Sequence, residues 1–188
     1  MTKYFFSLFF VVAGLIHTGA AQPFGQLNYL KKKLVQIYYS KGYLQRAEVI
    51  GGRVDNAKTY YESMLNYTPV VTLLILDTAD WKLYSDKGAV YGMPHYNNAN
   101  NTLVVAAQDN PFWKSFLPPL SQLPPDMRQQ VVAVYSNSDS SISAQAFFDL
   151  LAIHELGHAF TVQGAVKMQR KWMGELYVNI LLHTYIAE

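Results

Sequence analysis

The stretch His154-Glu155-Leu156-Gly157-His158 lies inside an apolar run, 143–163, whose length and composition predict one buried helix. On a helix, residues four apart lie on the same face one turn above each other, so His154 and His158 can bind the same metal ion. Glu155 lies about 100° round the helix from His154 and borders the same position. We therefore expect Glu155 to polarise a metal-bound water without binding the metal itself.

A carboxylate follows on the next predicted helix, which covers 171–188. Glu175 lies 17 residues after His158, and two His with one Glu is a known ligand set for a catalytic zinc that keeps a fourth position open. Asn179, one turn after Glu175, would face the same side, where its side-chain oxygen can accept the free ring N–H of a ligand His. A solvated or capping amide is the alternative interpretation of Asn179.

These motifs resemble the gluzincin metallopeptidases, the zincin branch that includes thermolysin-like enzymes and the zinc aminopeptidases. The resemblance implies a zincin-like α+β fold, in which a small mixed sheet packs on the helix that carries HExxH and the following helix carries the third ligand. It also implies that His154, His158 and Glu175 bind Zn²⁺ and that Glu155 is the general base of a peptidase. The expected substrate is a peptide or a protein.

The other zincin branch, the metzincins, has a different pattern after the second His. It places a Gly three residues and a third His six residues further on, where this chain has Thr161 and Gly164. The sequence therefore disfavours a metzincin.

The gluzincin resemblance also implies how substrate would bind. An edge strand of the sheet would pair with an extended peptide through main-chain hydrogen bonds, and the candidate segments are 91–96 and 103–106. A Tyr or His from a C-terminal helical region would stabilise the oxyanion, and His183 and Tyr185 are the candidates after Glu175. His95, on the predicted edge strand, is a further candidate near the cleft, with a surface His as the alternative.

The N-terminus has the features of a secretory signal peptide. Lys3 precedes an apolar run, 4–16, and the small residues Gly19-Ala20-Ala21 precede Gln22. The run is shorter than the roughly 20 residues of a membrane-spanning helix. We therefore expect residues 1–21 to be removed, residues 22–188 to form one domain, and the protein to be secreted or periplasmic. Membrane contact is expected only through residues 1–21 if they are not cleaved.

Amino-acid composition and net charge exclude several kinds of site and partner. The chain has 188 residues, 51% of them hydrophobic, and no cysteine, so disulfides and thiolate zinc ligands are excluded. Loss of Lys3 would lower the net charge from +2 to +1, and 31–33 is the only compact basic run, so nucleic-acid binding is not expected. The sequence does not indicate an oligomeric state.

Periodicity and turn residues predict the remaining elements. Helices are expected at 27–39 and 47–66, a buried central strand at 70–76, and a hairpin from 89–93 and 102–107. The proline-rich stretch 110–126 is expected to cross the surface, and 131–135 is expected to form a strand. Polar residues in 137–141 are expected to cap the metal-site helix, and Gly164 is expected to end it. Because the last predicted helix reaches Glu188, a fragment of a longer protein or a minimal family member is indicated.

Two other interpretations remain open at this stage. One is a binding or structural protein whose metal site is vestigial or purely structural. The other is a membrane-tethered binding domain, held by residues 1–21, that binds no metal.

Overall fold

A computed structural model describes residues 24–137 and 139–188, and the fold there is mixed α+β. Its five strands form one mixed sheet in the order β1-β2-β3-β5-β4. The inner strands β2, β3 and β5 are parallel, while β1 and β4 run antiparallel to their neighbours at the two edges. The strands are Asn28–Lys31 (β1), Gln36–Tyr39 (β2), Thr72–Leu76 (β3), His95–Asn97 (β4) and Thr102–Ala106 (β5).

The described residues also form six α-helices and one short 3₁₀ turn, Leu120–Gln122. The helices are Leu44–Leu65 (α1), Thr78–Tyr84 (α2), Pro111–Lys114 (α3), Pro125–Tyr135 (α4), Gln145–Gln163 (α5) and Lys171–Ala187 (α6). One face of the sheet packs on α1, α5 and α6. The other face is covered by Trp81 of α2, Trp113 of α3 and Phe148 near the start of α5. A small mixed sheet packed on helices, as expected from the sequence, is therefore confirmed.

The elements with the strongest local patterns are confirmed. The apolar run 70–76 contains β3, which has a parallel neighbour on each side, so nearly every side chain is buried. The predicted helices at 47–66, 143–163 and 171–188 correspond to α1, α5 and α6, and Gly164 caps the end of α5. Gly51, inside α1, lies so close to the Ile37 side chain that a Cβ there would clash with it. Its lack of a side chain lets α1 pack on β2.

The predicted helix at 27–39 is wrong, because this segment forms the antiparallel pair β1 and β2. Its apolar spacing fits a helix face, but its aromatic and β-branched residues also suit strands. The Lys32 N–H donates to the Val35 carbonyl across the turn at 3.0 Å, and Tyr29 packs on Tyr38 across the pair. The basic run 31–33 therefore lies at a hairpin turn and not on a helix.

Three further predictions between the sheet and α5 are wrong. Residues 131–135 belong to α4, which Pro125 starts, and not to a strand. The described polar residues of 137–141 do not cap α5, because that helix begins at Gln145, whose N–H is accepted by Ser143 Oγ. The segment 110–126 is not only surface, because it contains α3, whose Trp113 is fully buried and donates from Nε1 to the Gly92 carbonyl.

The second hairpin is confirmed in part. β4 and β5 are antiparallel around the Asn-rich turn, as predicted, but 89–93 is a loop in which Gly92 has a φ of 103°. β5 lies inside the sheet between β3 and β4, so 103–106 is not an edge. Of the two candidate segments for strand addition, only the β4 part remains at an edge. The connection 77–86, between β3 and this hairpin, contains α2, capped by the Asp77 carboxylate.

The predicted signal peptide, 1–21, lies outside the described residues. Within them, we find no helix that is both long enough and apolar enough to cross a bilayer.

Candidate metal centre

Helix α5 holds His154 and His158 because its other faces are anchored in the core. Ala152, Ile153, Leu156 and Phe160 are each at most 2% exposed and pack against the sheet and α1. His154 and His158 point away from that anchored side, one turn apart, with ring centroids 5.0 Å from each other. The helical spacing thus places both imidazoles at one position on a rigid support.

Glu175 reaches the two imidazoles from α6. Its Oε2 lies 3.2 Å from His154 Nε2 and 3.5 Å from His158 Nε2, and one ligand atom of each residue lies within 4.8 Å of the others. Two donors on a tetrahedral zinc, at bond lengths near 2.1 Å, are about 3.4 Å apart. The two distances from Glu175 Oε2 therefore match the spacing between donors on a zinc ion. Glu175 is 57% exposed, which leaves the position open to solvent on one side.

The close approach of α5 and α6 depends on Gly157, the fourth residue of the motif. A Cβ built on Gly157 would lie 2.6 Å from Val178 Cγ1, and Val178 is fully buried. Val178 is three residues after Glu175 on α6, so this contact fixes how near Glu175 comes to the imidazoles. A glycine inside a helix lowers helix stability by about 1 kcal/mol relative to Ala. The close packing against Val178 explains why a glycine occurs at this position despite that cost.

Gly157→Ala is expected to push α6 away from α5 and weaken zinc binding. Over-packing of this kind costs about 1–3 kcal/mol, more than the helix propensity gained. Gly157→Ala should therefore lower both the zinc affinity and the melting temperature. Gly52→Ala is the matched control, because it lies inside α1 with nothing near its Cβ position and should raise stability slightly. Equal zinc affinity in wild type and Gly157→Ala would contradict this role of Gly157.

Asn179 orients one of the two imidazoles. Its Oδ1 lies 3.0 Å from His154 Nδ1, and because this oxygen only accepts, His154 donates from Nδ1. The lone pair of His154 is then on Nε2, the atom that faces Glu175. The hydrogen bond expected for Asn179 from the sequence is therefore present.

Asn179→Ala is expected to lower zinc affinity by about 10- to 100-fold, the usual effect of losing a hydrogen-bond partner of a ligand His. Asn179→Asp keeps the acceptor oxygen and should bind zinc at least as tightly as wild type. Competition with a chromogenic chelator measures both affinities. Asn98→Ala, at an exposed turn residue, is the control and should bind like wild type. Wild-type affinity in Asn179→Ala would contradict the orienting role.

Glu155 lies beside the three candidate ligands and faces the edge strand. Its Oε2 accepts the Tyr96 N–H of β4 at 3.1 Å. Burial, with a further contribution from the Glu175 carboxylate, raises the pKa of Glu155 to about 7, against the lowering effect of the Tyr96 hydrogen bond. A nearby cation would favour the ionised form. Glu155 is thus a carboxyl group that can exchange a proton near neutral pH.

The surroundings of His158 favour its neutral form. Burial lowers the pKa of His158 and exceeds the opposing effect of Glu175, while His154 lowers it further. Neutral imidazole is the form that binds a metal, so burial favours the form in which His158 could be a ligand.

The other predicted site residues do not join this group. Tyr185 packs on the rings of Tyr60 and Tyr61, at 5.9 and 6.2 Å, and therefore lies against α1. His183 is exposed two turns after Glu175, about 12 Å further along the helix axis. His95 packs on Trp81, on the face of the sheet opposite to the one that packs on α1 and α6.

Sequence reasoning missed two contributors to this site. No role for Gly157 was predicted from the sequence, although a glycine inside a buried helix is itself a signal of close packing. The main-chain N–H of Tyr96 could not be identified, because every residue except proline has one. Its contact with Glu155 depends on where β4 lies relative to α5.

Comparisons with known proteins provide no relative for this chain. No family model, no curated protein and no solved structure matches it.

Proposed function

We propose that this chain is a zinc-dependent hydrolase of peptide bonds with a zincin-like fold, in which His154, His158 and Glu175 hold the ion. The convergence of these three donor atoms on one position that is open to solvent supports the proposal most directly. The set leaves room for the fourth partner that a catalytic zinc keeps exchangeable. A secreted or periplasmic location, after removal of residues 1–21, is part of the same proposal.

The chemistry follows from the residues around that position. When bound, zinc would polarise the scissile carbonyl and lower the pKa of a water. Glu155 takes a proton from the attacking water and delivers it to the leaving amine. The position of Glu155 supports this role, because it borders the three ligands and its own environment brings its pKa close to the working range of a general base.

Strand β4 is the proposed support for the substrate. It is an edge strand, it contacts α5, and its Tyr96 N–H points at Glu155. An extended peptide that pairs with this edge would have its backbone beside Glu155 and the metal ligands. The substrate class proposed is therefore peptide or protein.

Metal analysis tests the proposal. We expect one zinc per chain in protein folded with zinc present, and loss of most of it in His154→Ala or His158→Ala. Zinc bound to the folded form should also raise the melting temperature of wild type and leave both variants nearly unchanged. The control is His183→Ala, which removes an exposed His on the same helix as Glu175. Wild-type protein without stoichiometric metal under these conditions would refute the metallohydrolase.

A further inference from the structure

The outward face of α6 is apolar. Trp172, Leu176 and Ile180 follow one another at four-residue spacing and are 63%, 51% and 50% exposed. The inward face is apolar as well, because Val178 and Leu181 are buried in the core. A helix that is apolar on both faces is typical of one that is covered on both sides. Within residues 24–137 and 139–188, nothing covers the outward face.

A basic segment lies at the N-terminal end of this face. Lys167, Arg170 and Lys171 are all exposed, and no acidic residue occurs between 164 and 174. In the described part of the chain, none of the three forms an ion pair within 4.0 Å. Arg170 and Lys171 occupy the N-terminus of α6, where the helix dipole disfavours cations, and its first turn has no acidic residue. The stability of α6 therefore does not explain these charges, whereas an anionic partner would.

We propose that this face of α6, together with the basic segment 167–171, binds the surface of an anionic lipid membrane. Trp172 has the amphipathic ring that lies at the level of the headgroups, and Leu176 and Ile180 extend the apolar contact by about 12 Å along the helix. Lys167, Arg170 and Lys171 are long enough to reach lipid phosphates while the apolar face is buried. The combination of an apolar helix face and basic residues is typical of interfacial helices.

This surface is distinct from residues 1–21, the only membrane contact that the sequence predicted. It also borders the candidate metal centre, because Glu175 precedes Leu176 and lies about 100° round the same helix. The centre would therefore lie beside the membrane contact. The inference does not rest on the proposed function.

Tryptophan fluorescence of the full chain reports directly on this face. Trp81 and Trp113 are 3% and 0% exposed, so Trp172 is the exposed one of the three tryptophans. We expect its emission to shift to the blue with vesicles of phosphatidylcholine and about one third phosphatidylglycerol, and much less with phosphatidylcholine alone. High salt should weaken the binding, because surface charges are then screened.

Two triple variants distinguish binding through this face of α6 from attraction that depends only on net charge. K167E/R170E/K171E should lower the vesicle partition coefficient by about 100-fold, measured by co-sedimentation. K31E/K33E/K41E makes the same change of charge at exposed residues elsewhere and should keep most of the affinity. Leu176→Ser should weaken binding without changing the charge. Residues 1–21 are the same in every variant, so any contribution from them cancels.

Several outcomes would overturn the proposal. One is wild-type protein that shows no blue shift with anionic vesicles. Another is an equal loss of binding in both triple variants, which would point to net charge alone. A third is a dimer that Leu176→Ser dissociates in protein without vesicle affinity, which would assign the face to a second copy of the chain.

Discussion

Glu155→Gln is expected to lower peptide hydrolysis by about 10²- to 10⁴-fold, the usual contribution of general acid–base catalysis. Glutamine keeps the size of the side chain and can still accept the Tyr96 N–H that Glu155 accepts at 3.1 Å. It cannot take a proton from water. The zinc content should stay at one per chain, because Glu155 is not among the three residues whose donor atoms converge. Initial rates on a peptide library, with metal analysis of the same samples, measure both quantities.

The control for this substitution is Glu48→Gln, which makes the same change at an exposed position of α1. It should keep the full rate, since it lies outside the site. Equal rates in wild type and Glu155→Gln would show that Glu155 is not the base. Full zinc occupancy without hydrolysis of any library peptide would favour the alternative of a binding or structural protein with a vestigial or structural metal site.

The parts of the site that sequence could predict are those that depend on a single helix. His154, Glu155 and His158 lie within five consecutive residues of one helix. The geometry of that helix alone therefore fixes how they are placed relative to one another. Glu175 lies on another helix, and its place beside the imidazoles required the resemblance to a known ligand set. The contact that brings the two helices together, Gly157 against Val178, joins residues 21 positions apart. Nothing in the spacing of either helix alone identifies that partner.

The errors in the fold have the same physical origin. The segment 27–39 has an apolar pattern that fits a helix, and it forms β1 and β2 because Gln36–Tyr39 pairs in parallel with β3. That partner lies more than 30 residues further along the chain, so a local pattern cannot reveal it. The opposite error at 131–135 arose because the β-branched residues Val131 and Val132 suit a strand. There the preceding prolines start a helix, α4, that has no buried residue.

One buried cluster of charged residues was not predicted from the sequence. Asp149 of α5 is 3% exposed and accepts two hydrogen bonds from Arg46 of α1, at 2.8 and 2.5 Å. Arg46 Nη2 also lies 3.4 Å from the carbonyl of Ala106, at the end of β5. Arg53 approaches the same carboxylate at 3.6 Å from a more exposed position. Asp149 thus joins α5, which carries the two imidazoles, to α1 and the sheet.

Asp149→Ala is expected to destabilise the fold by about 3–5 kcal/mol, because it leaves the guanidinium of Arg46 buried without its partner. In a chain of this size, such a loss should lower the melting temperature by about 6–20 °C. Thermal unfolding followed by circular dichroism measures the change. Arg53→Ala should have a much smaller effect, since the side chain of Arg53 is 47% exposed and solvent screens its charge.

The double variant Arg46→Met/Asp149→Leu distinguishes two possible sources of the stability lost in Asp149→Ala. If the effect of Asp149→Ala comes from an uncompensated buried charge, two apolar side chains should restore most of the stability, because the ion pair itself contributes little beyond its desolvation cost. A double variant as unstable as Asp149→Ala would show instead that the paired geometry itself holds α5 against α1. Zinc affinity distinguishes the same two outcomes at the candidate metal centre. It should be near wild type in a double variant that recovers stability, since α5 then keeps its place and the two imidazoles stay opposite Glu175.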